Sequence, residues 1–145
     1  MELKNRSAYF DYFIDDEFDA GMVLAGTEVK SIRAGKVSFN DSYCFLHKGE
    51  LWVKSLHIAP YEFGTYANHD PVKERKLLLT ARELKKLDTK TREKGFTIIP
   101  LKIFFNDKGF AKMKIGLARG KKTHDKRESI KQKDAAREIK RHLKR

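Results

Sequence analysis

Residues Phe96–Ala118, FTIIPLKIFFNDKGFAKMKIGLA, carry the clearest structural pattern in the sequence. Two runs rich in β-branched, aromatic and other apolar residues, Phe96–Phe105 and Phe110–Ala118, flank the turn Asn106–Gly109. In the second run, apolar side chains alternate with lysines, as in a strand that buries one face. The faces that we expect to be buried carry Thr97, Ile99, Leu101, Ile103 and Phe105 in the first strand and Ala111, Met113, Ile115 and Leu117 in the second. The sequence therefore predicts an antiparallel β-hairpin here.

A second hairpin is predicted upstream of the first. Its strands are Val37–Leu46 and Glu50–Ile58, and Lys48-Gly49 is the turn between them. Alternation along the earlier strand gives one face to Val37, Phe39, Tyr43 and Phe45. The same alternation puts Cys44 on the opposite, polar face.

Two short helices and a long loop interrupt the predicted strands. Gly26–Gly35 is the first helix, with Thr27 as its N-cap. A capping box at Thr80–Glu83 begins the second helix, and Gly95 ends it. Pro60–Val72 contains two prolines together with glycine, asparagine and aspartate, which predicts a loop.

The N-terminal part of the chain is predicted to form two extended segments, Tyr9–Ile14 and Ala20–Ala25, around an acidic bend at Asp15–Glu17. The order of elements lacks the strand–helix–strand alternation of a parallel sheet. Short strands with inserted helices are instead typical of a small closed barrel. We therefore predict a mainly β fold with inserted helices, built as a small OB-type β-barrel.

The charge of the chain is high and unevenly distributed. The sequence has 32 Lys and Arg against 20 Asp and Glu, a net charge of +12. Arg119–Arg145 holds twelve basic and four acidic residues, so this segment carries +8 and the first 118 residues carry +4. We therefore divide the chain into a barrel domain, residues 1–120, and a basic C-terminal tail, residues 121–145. The tail's apolar residues form only a thin stripe, so we expect the tail to be disordered until it is bound.

The sequence contains no recognisable catalytic or cofactor-binding pattern. The five histidines lack the spacing of metal ligands, and no P-loop or dinucleotide-binding motif is present. Acidic groups such as Asp15-Asp16 are better explained as solvated turn residues than as a nuclease site. We therefore expect no cofactor, no metal ion and no enzymatic activity.

Three features indicate a cytoplasmic protein. The single cysteine, Cys44, cannot form an internal disulfide, which fits a reducing compartment. No apolar run approaches the roughly 18 residues of a transmembrane helix. The N-terminal residues Met1–Asn5 lack the apolar core of a signal peptide.

Basic and aromatic residues favour RNA as the partner. Lys30, Arg33 and Lys36 lie on and after the first helix, and Lys112 and Lys114 share a strand face. Amines at such spacing can follow a phosphate backbone, and aromatic side chains can stack on bases. For any single residue the alternative is an ordinary solvated charged face. A ribosomal or general single-strand-binding protein and an RNA-processing enzyme are the rival classes.

Two blocks of sequence carry a resemblance to a known family. Gly26–Lys36 reads GTEVKSIRAGK, and Gly116–Arg127 reads GLARGKKTHDKR. Shorter matches precede the first block and lie in order between the two, and the agreement runs from about Asn5 to the end of the chain. The sequence resembles the SmpB family, the tmRNA-binding proteins of bacterial trans-translation.

The resemblance implies both a function and a fold. SmpB proteins bind the tRNA-like domain of tmRNA, which is charged with alanine, and bring it to ribosomes stalled on messages without a stop codon. Their C-terminal tail enters the empty mRNA channel near the decoding centre and becomes helical there. The implied partners are tmRNA, small-subunit ribosomal RNA and, through the alanyl-tmRNA complex, elongation factor Tu. The family fold is an OB-type barrel with extra helices, in agreement with the pattern above.

Candidate site residues come from the matched positions and from the basic surface. By resemblance, the tmRNA contact includes Asn5, Phe10, Asp19, Lys112, Lys114, Arg119 and Gly120. The basic residues that complete the predicted RNA-binding set are Lys30, Arg33, Lys36, Lys121 and Lys122. The tail segment matched to the decoding centre is His124, Asp125, Lys126 and Arg127. Many members of the family have His where Phe10 stands and Glu where Asp19 stands.

Overall fold

The computed structural model describes residues 1–121, and the predicted tail from Lys122 onward lies outside the described residues. The strands in this range are β1 (Glu2–Lys4), β2 (Tyr12–Met22), β3 (Val37–Ser38), β4 (Tyr43–His47), β5 (Glu50–Lys54), β6 (His57–Ile58), β7 (Arg75–Leu78), β8 (Phe96–Phe105) and β9 (Ala111–Gly120). The helices are α1 (Ala8–Asp11), α2 (Gly26–Arg33) and α3 (Ala81–Thr91), and a 3-10 turn covers Thr65–Ala67. Within residues 1–121, no helix has the length and apolar character needed to cross a membrane.

The main sheet closes into a ring. Antiparallel pairing runs in the order β8-β4-β5-β7-β2-β9, and β9 pairs back with β8. β1 adds to β8, where Leu3 is opposite Ile103, while β3 and β6 form a separate two-stranded sheet. The ring confirms the predicted small β-barrel with inserted helices.

The β8–β9 hairpin is confirmed, but the face predicted for β8 is partly wrong. The four inward-facing residues predicted for β9 are buried. In β8 the register shifts between Pro100 and Lys102, so one alternating face cannot persist along the strand. As a result, Ile98 and Ile103 both belong to the barrel core.

The register shift also creates a second apolar cluster, separate from the barrel core. Ile99 and Leu101 of β8 pack there with Ala8 of α1 and Ala118 of β9. Both Ile99 and Leu101 are about 3% exposed, so the cluster is well shielded from water. Because Ala8 is part of it, the cluster attaches the four-residue helix α1 to the barrel.

The predicted acidic bend near the N-terminus is wrong. β2 is one continuous strand of 11 residues with a bulge between Ile14 and Asp16, and part of the first predicted extended segment is helix α1. The carboxylates have basic partners on neighbouring elements, Asp15 with Arg119 and Asp16 with Lys86. Charged side chains can line the solvent face of a strand when such partners are present, so the acidic run did not require a turn.

The second hairpin is confirmed at its turn and differs at both outer ends. Lys48 and Gly49 join β4 to β5 with positive φ angles of 52° and 75°. The two long strands predicted here each break, at Asp41 (φ 61°) and Ser55 (φ 62°), and the outer pieces pair as β3 and β6.

The faces predicted for β4 are reversed. Cys44 is buried in the core, while Tyr43 is exposed. Burial raises the pKa of the Cys44 thiol, so the thiol stays protonated and packs as a small apolar group.

Both predicted helices are confirmed, with one change of cap. Ala25, not Thr27, is the N-cap of α2, and its N–H donates to Glu28 Oε1 at 3.0 Å. Thr27 Oγ1 instead lies 2.9 Å from His69 Nδ1. The predicted capping box of α3 is present at Thr80.

A buried ion pair joins α2 to β7. Arg75 Nε donates to Glu28 Oε2 at 2.6 Å, and both side chains are fully buried. The remaining guanidinium N–H groups donate to the carbonyls of Leu56, Asp70 and Pro71. Burial works against ionisation of Glu28, but the Ala25 N–H and the bond and charge of Arg75 outweigh it and hold the pKa of Glu28 below its ordinary value. The pair therefore fixes the long loop between β6 and β7 to the end of the barrel that α2 covers.

Candidate nucleic-acid interface

Two lysines of β9 lie beside β2, and one of them, Lys114, is paired with carboxylates of that strand. Lys112 is opposite Gly21, and Lys114 is opposite Asp19. Lys114 Nζ lies 3.6 Å from Asp19 Oδ1 and 3.7 Å from Glu17 Oε2. The predicted pair Asp19 and Lys114 is therefore brought together, and the ammonium is held in place without being buried.

A cleft of about 540 Å³ opens beside this ion pair. Its lining is Lys4, Asn5, Arg6, Tyr9, Glu17, Leu101, Lys102 and Lys114. Four of these side chains are cationic and one is a carboxylate, and Lys102 Nζ lies 3.0 Å from Oε1 of Glu2, just outside the lining. The cleft is therefore suited to a phosphate group of a nucleic acid.

Asn5 is built into the edge of the cleft. Its side-chain amide donates to the carbonyl of Pro100 at 2.7 Å, and its backbone N–H donates to the carbonyl of Leu101 at 2.8 Å. These bonds fix the chain between β1 and α1. They make Asn5 a residue that positions its neighbours Lys4 and Arg6 at the cleft.

Tyr9 and Glu17 form a hydrogen bond at the cleft. The Tyr9 hydroxyl donates to Glu17 Oε1 at 2.9 Å. Partial burial raises the pKa of Tyr9, and the bond to Glu17 and its negative charge raise the pKa further. The phenol therefore stays protonated at neutral pH, with its single O–H donated to Glu17.

Arg119, Gly120 and Lys121 lie at the C-terminal end of β9, beside α1. Arg119 binds Asp15 with two N–H groups, Nε to Oδ2 at 3.1 Å and Nη2 to Oδ1 at 3.2 Å, and its guanidinium lies 5.6 Å from the centre of the Phe13 ring. Lys121 donates to two carbonyls of α1, from Nζ at 2.8 Å and from its backbone N–H at 2.9 Å. The start of the tail is thus tied to α1.

The predicted cations of α2 form a separate group. Lys30 Nζ lies 5.0 Å from the centre of the Tyr61 ring, and the Arg33 guanidinium lies 4.3 Å from the centre of the Phe105 ring. Lys36 follows the helix and is exposed. None of the three lines the cleft. The predicted RNA-binding residues within residues 1–121 are therefore spread over the cleft, α1, the paired strands β2 and β9, and α2, rather than over one continuous patch.

Six residues that line the cleft were not predicted from the sequence. They are Lys4, Arg6, Tyr9, Glu17, Leu101 and Lys102. The signal that could have found two of them, Lys4 and Arg6, is their position on either side of Asn5 in the sequence. Phe10 is half-buried in α1 and does not line the cleft.

The remaining points concern the predicted residues of the tail and the question of a metal site. Lys122 and the tail segment His124–Arg127 lie outside the described residues. In residues 1–121, no group of three or more His, Cys, Asp or Glu side chains is arranged to hold a metal ion.

Comparison with known proteins identifies the family to which this chain belongs. Residues 2–145 match the family described as SmpB protein. The SsrA-binding protein of Parabacteroides distasonis is 52% identical over 100% of this chain and 95% of its own length, and that of Bacillus cytotoxicus is 54% identical over 94% of this chain and 87% of its own length. A chain of the solved structure described as "tmRNA-SmpB: a journey to the center of the bacterial ribosome" matches with a TM-score of 0.73 and 51% identity, over 89% of this chain and 94% of that one. The protein belongs to the SmpB family.

Proposed function

We propose that this chain binds the tRNA-like domain of tmRNA and delivers alanyl-tmRNA to stalled ribosomes, for ribosome rescue and peptide tagging by trans-translation. The observation that carries the proposal is the match to the SmpB family over residues 2–145. The relatives named SsrA-binding proteins and the related chain from the tmRNA-SmpB structure support the same function. Members of this family are RNA-binding proteins and not enzymes.

The geometry of the cleft supports RNA binding by residues 1–120. Lys4, Arg6, Lys102 and Lys114 converge there, and Asp19 and Glu17 hold Lys114 in place. Such partly exposed ion pairs contribute only about 0–1 kcal/mol, so a phosphate can replace a carboxylate beside the ammonium at little cost. The wider proposed interface adds Lys112 and the end of β9, from Arg119 to Lys121.

We further propose a division of labour along the chain. The barrel holds tmRNA, while the tail, residues 121–145, occupies the empty mRNA channel with His124–Arg127 near the decoding centre. The charge of +8 after residue 118 supports this role, because the channel is lined by phosphates of the small-subunit ribosomal RNA.

Two further proposals follow from the same function. Elongation factor Tu joins the complex through alanyl-tmRNA, so we expect no dedicated site for it on the barrel. The protein acts in the cytoplasm, where ribosomes and tmRNA meet.

Binding is expected to favour folded tmRNA over a single strand of equal length at every salt concentration. Phosphate contacts should make the affinity fall as salt rises, with about one unit of log–log slope for each contact. Filter binding or fluorescence anisotropy over a salt series measures both quantities. Equal affinity for the two RNAs at moderate salt would instead favour a general single-strand-binding protein.

Lys114→Ala is expected to weaken tmRNA binding about 10-fold. This loss corresponds to about 1.4 kcal/mol, the contribution of one charge-assisted contact. The salt slope should fall by about one unit, because one phosphate contact is lost. Lys85→Ala is the matched control, since Lys85 is an exposed lysine of α3 outside the proposed interface. If both variants lose affinity equally, the cleft has no special role and only the total charge matters.

A further inference from the structure

The loop Tyr61–Asn68, here called the aromatic loop, displays large aromatic side chains to solvent. Phe63 is 73% exposed and Tyr66 is 100% exposed. Tyr61 packs edge-on against Phe63, with ring centres 5.6 Å apart. Two aromatic rings this exposed on one short loop are typical of a surface that contacts a partner.

The aromatic loop is held closed by its own hydrogen bonds. The Asn68 side chain accepts from the Tyr61 N–H at 3.0 Å and donates to the Tyr61 carbonyl at 2.7 Å. Beyond it, His69 contacts Thr27 Oγ1 and the carbonyl of Ile58, each at 2.9 Å. The rings of the loop are therefore presented from a fixed frame, which lowers the entropy lost on binding.

The charge around the aromatic loop favours stacking over phosphate contact. Lys30 lies over the Tyr61 ring, but Glu62 and Asp70 are acidic residues within or next to the loop. The nearby cation Lys73 is paired with Glu28 at 3.2 Å. With little free positive charge, the useful groups of this surface are the faces of its rings. Unpaired bases are the RNA groups that stack on aromatic faces.

The aromatic loop and the exit of the tail lie at opposite ends of the barrel. The loop packs beside Thr27 at the start of α2, at the end of the barrel where Gly21 is opposite Lys112. The tail leaves from the other end of β9, roughly 26 Å away along the strand at the usual rise per residue. The aromatic loop is therefore at the Lys112 end of the proposed tmRNA interface, away from the exit of the tail.

We propose that the aromatic loop is a stacking site for an unpaired base of tmRNA, on the rings of Phe63 and Tyr66. This inference rests on the proposed function and adds a contact apart from the cleft. The cleft binds phosphates through charge, whereas the aromatic loop binds a base through its π-face. The two contacts must therefore differ in their response to salt.

The test is tmRNA affinity over a salt series for the double variant Phe63→Ala with Tyr66→Ala. Loss of the stacked base predicts a fall of about 5- to 150-fold. The salt slope should stay unchanged, unlike that of Lys114→Ala, because no phosphate contact is lost. Tyr66→Phe keeps the ring and should bind as the unaltered protein does. Phe110→Ala, at a 64% exposed ring outside the aromatic loop, is the matched control and should also bind normally.

The experiment distinguishes failure of the stacking site from failure of the proposed function. Wild-type affinity in the double variant, beside a clear preference of the unaltered protein for tmRNA, overturns the stacking site and leaves the proposed function intact. Normal tmRNA binding with weakened recruitment of the complex to ribosomes assigns the surface to the ribosome and also overturns it. Failure of the unaltered protein to prefer tmRNA overturns both proposals. Because the removed rings are exposed, thermal unfolding of the double variant should match that of the unaltered protein, and a clear fall would attribute lost binding to lost structure.

Discussion

A chain ending at Lys121 is expected to bind tmRNA with nearly the affinity of the full protein and to lose tagging of stalled ribosomes completely. The truncated chain keeps every strand of the barrel, the cleft, and the bonds of Lys121 to α1. Its affinity should fall only by the non-specific attraction of the removed charge. Tagging should stop because an unfilled mRNA channel has nothing in place of codon–anticodon pairing.

The measurement is peptide tagging in a reconstituted stalled translation system, run beside tmRNA binding. A subtler variant replaces Asp125, Lys126 and Arg127 with alanine and removes less charge than the truncation does. It should abolish tagging while leaving general RNA binding close to normal. If the truncated chain tags as well as the full chain, the tail is only an electrostatic aid.

The Glu28→Gln variant is expected to lower the free energy of unfolding by roughly 3–5 kcal/mol, the usual effect of breaking a buried ion pair from one side. Gln removes the negative charge and leaves the fully buried Arg75 guanidinium without its counter-ion. Urea denaturation followed by circular dichroism measures the change. Asp16→Asn is the control, because the Asp16–Lys86 pair is partly exposed and should contribute about 0–1 kcal/mol. Equal losses in the two variants would show that burial of the Glu28–Arg75 pair is unimportant.

The Glu28–Arg75 pair is also expected to make the stability of the unaltered protein depend on pH. The pKa of Glu28 is lower in the folded state than its ordinary value of 4.5. Its contribution to stability is therefore complete above the ordinary value and is lost as the pH falls through the folded-state pKa. For the unaltered protein, the urea concentration at the unfolding midpoint should decrease as the pH is lowered from 7 to 3. In Glu28→Gln, that part of the fall should be absent.

The β8–β9 hairpin could be predicted because its period-two pattern and turn residues depend only on local sequence. Cys44 could not be placed, because the break at Asp41 resets the alternation before β4. The acidic run of β2 was misjudged because its partners Arg119 and Lys86 are distant in sequence and adjacent only in the folded sheet. The local sequence pattern therefore predicted the strands and helices. Pairing between residues distant in sequence determined which faces are buried and which charges are paired.

The candidate site was predicted only in part for the same reason. Lys114 and Asp19 could be named by resemblance, but their contact depends on the register of β2 with β9. The cleft also needs β1, which is three residues long and leaves no periodic signal. The cations Lys4 and Arg6 reach the cleft only because β1 pairs with the C-terminal half of β8.

Closure of the barrel by its last strand has a consequence for synthesis. β2 is complete at Met22, yet its main partner begins at Ala111, so nearly 90 residues must be translated between them. At about 5–20 residues per second, the nascent chain carries an open sheet edge for roughly 5–20 s. Before β9 emerges, β2 has only its two-residue pairing with β7. The four acidic residues of β2, Asp15, Asp16, Glu17 and Asp19, make its unpaired edge a poor template for pairing with another chain.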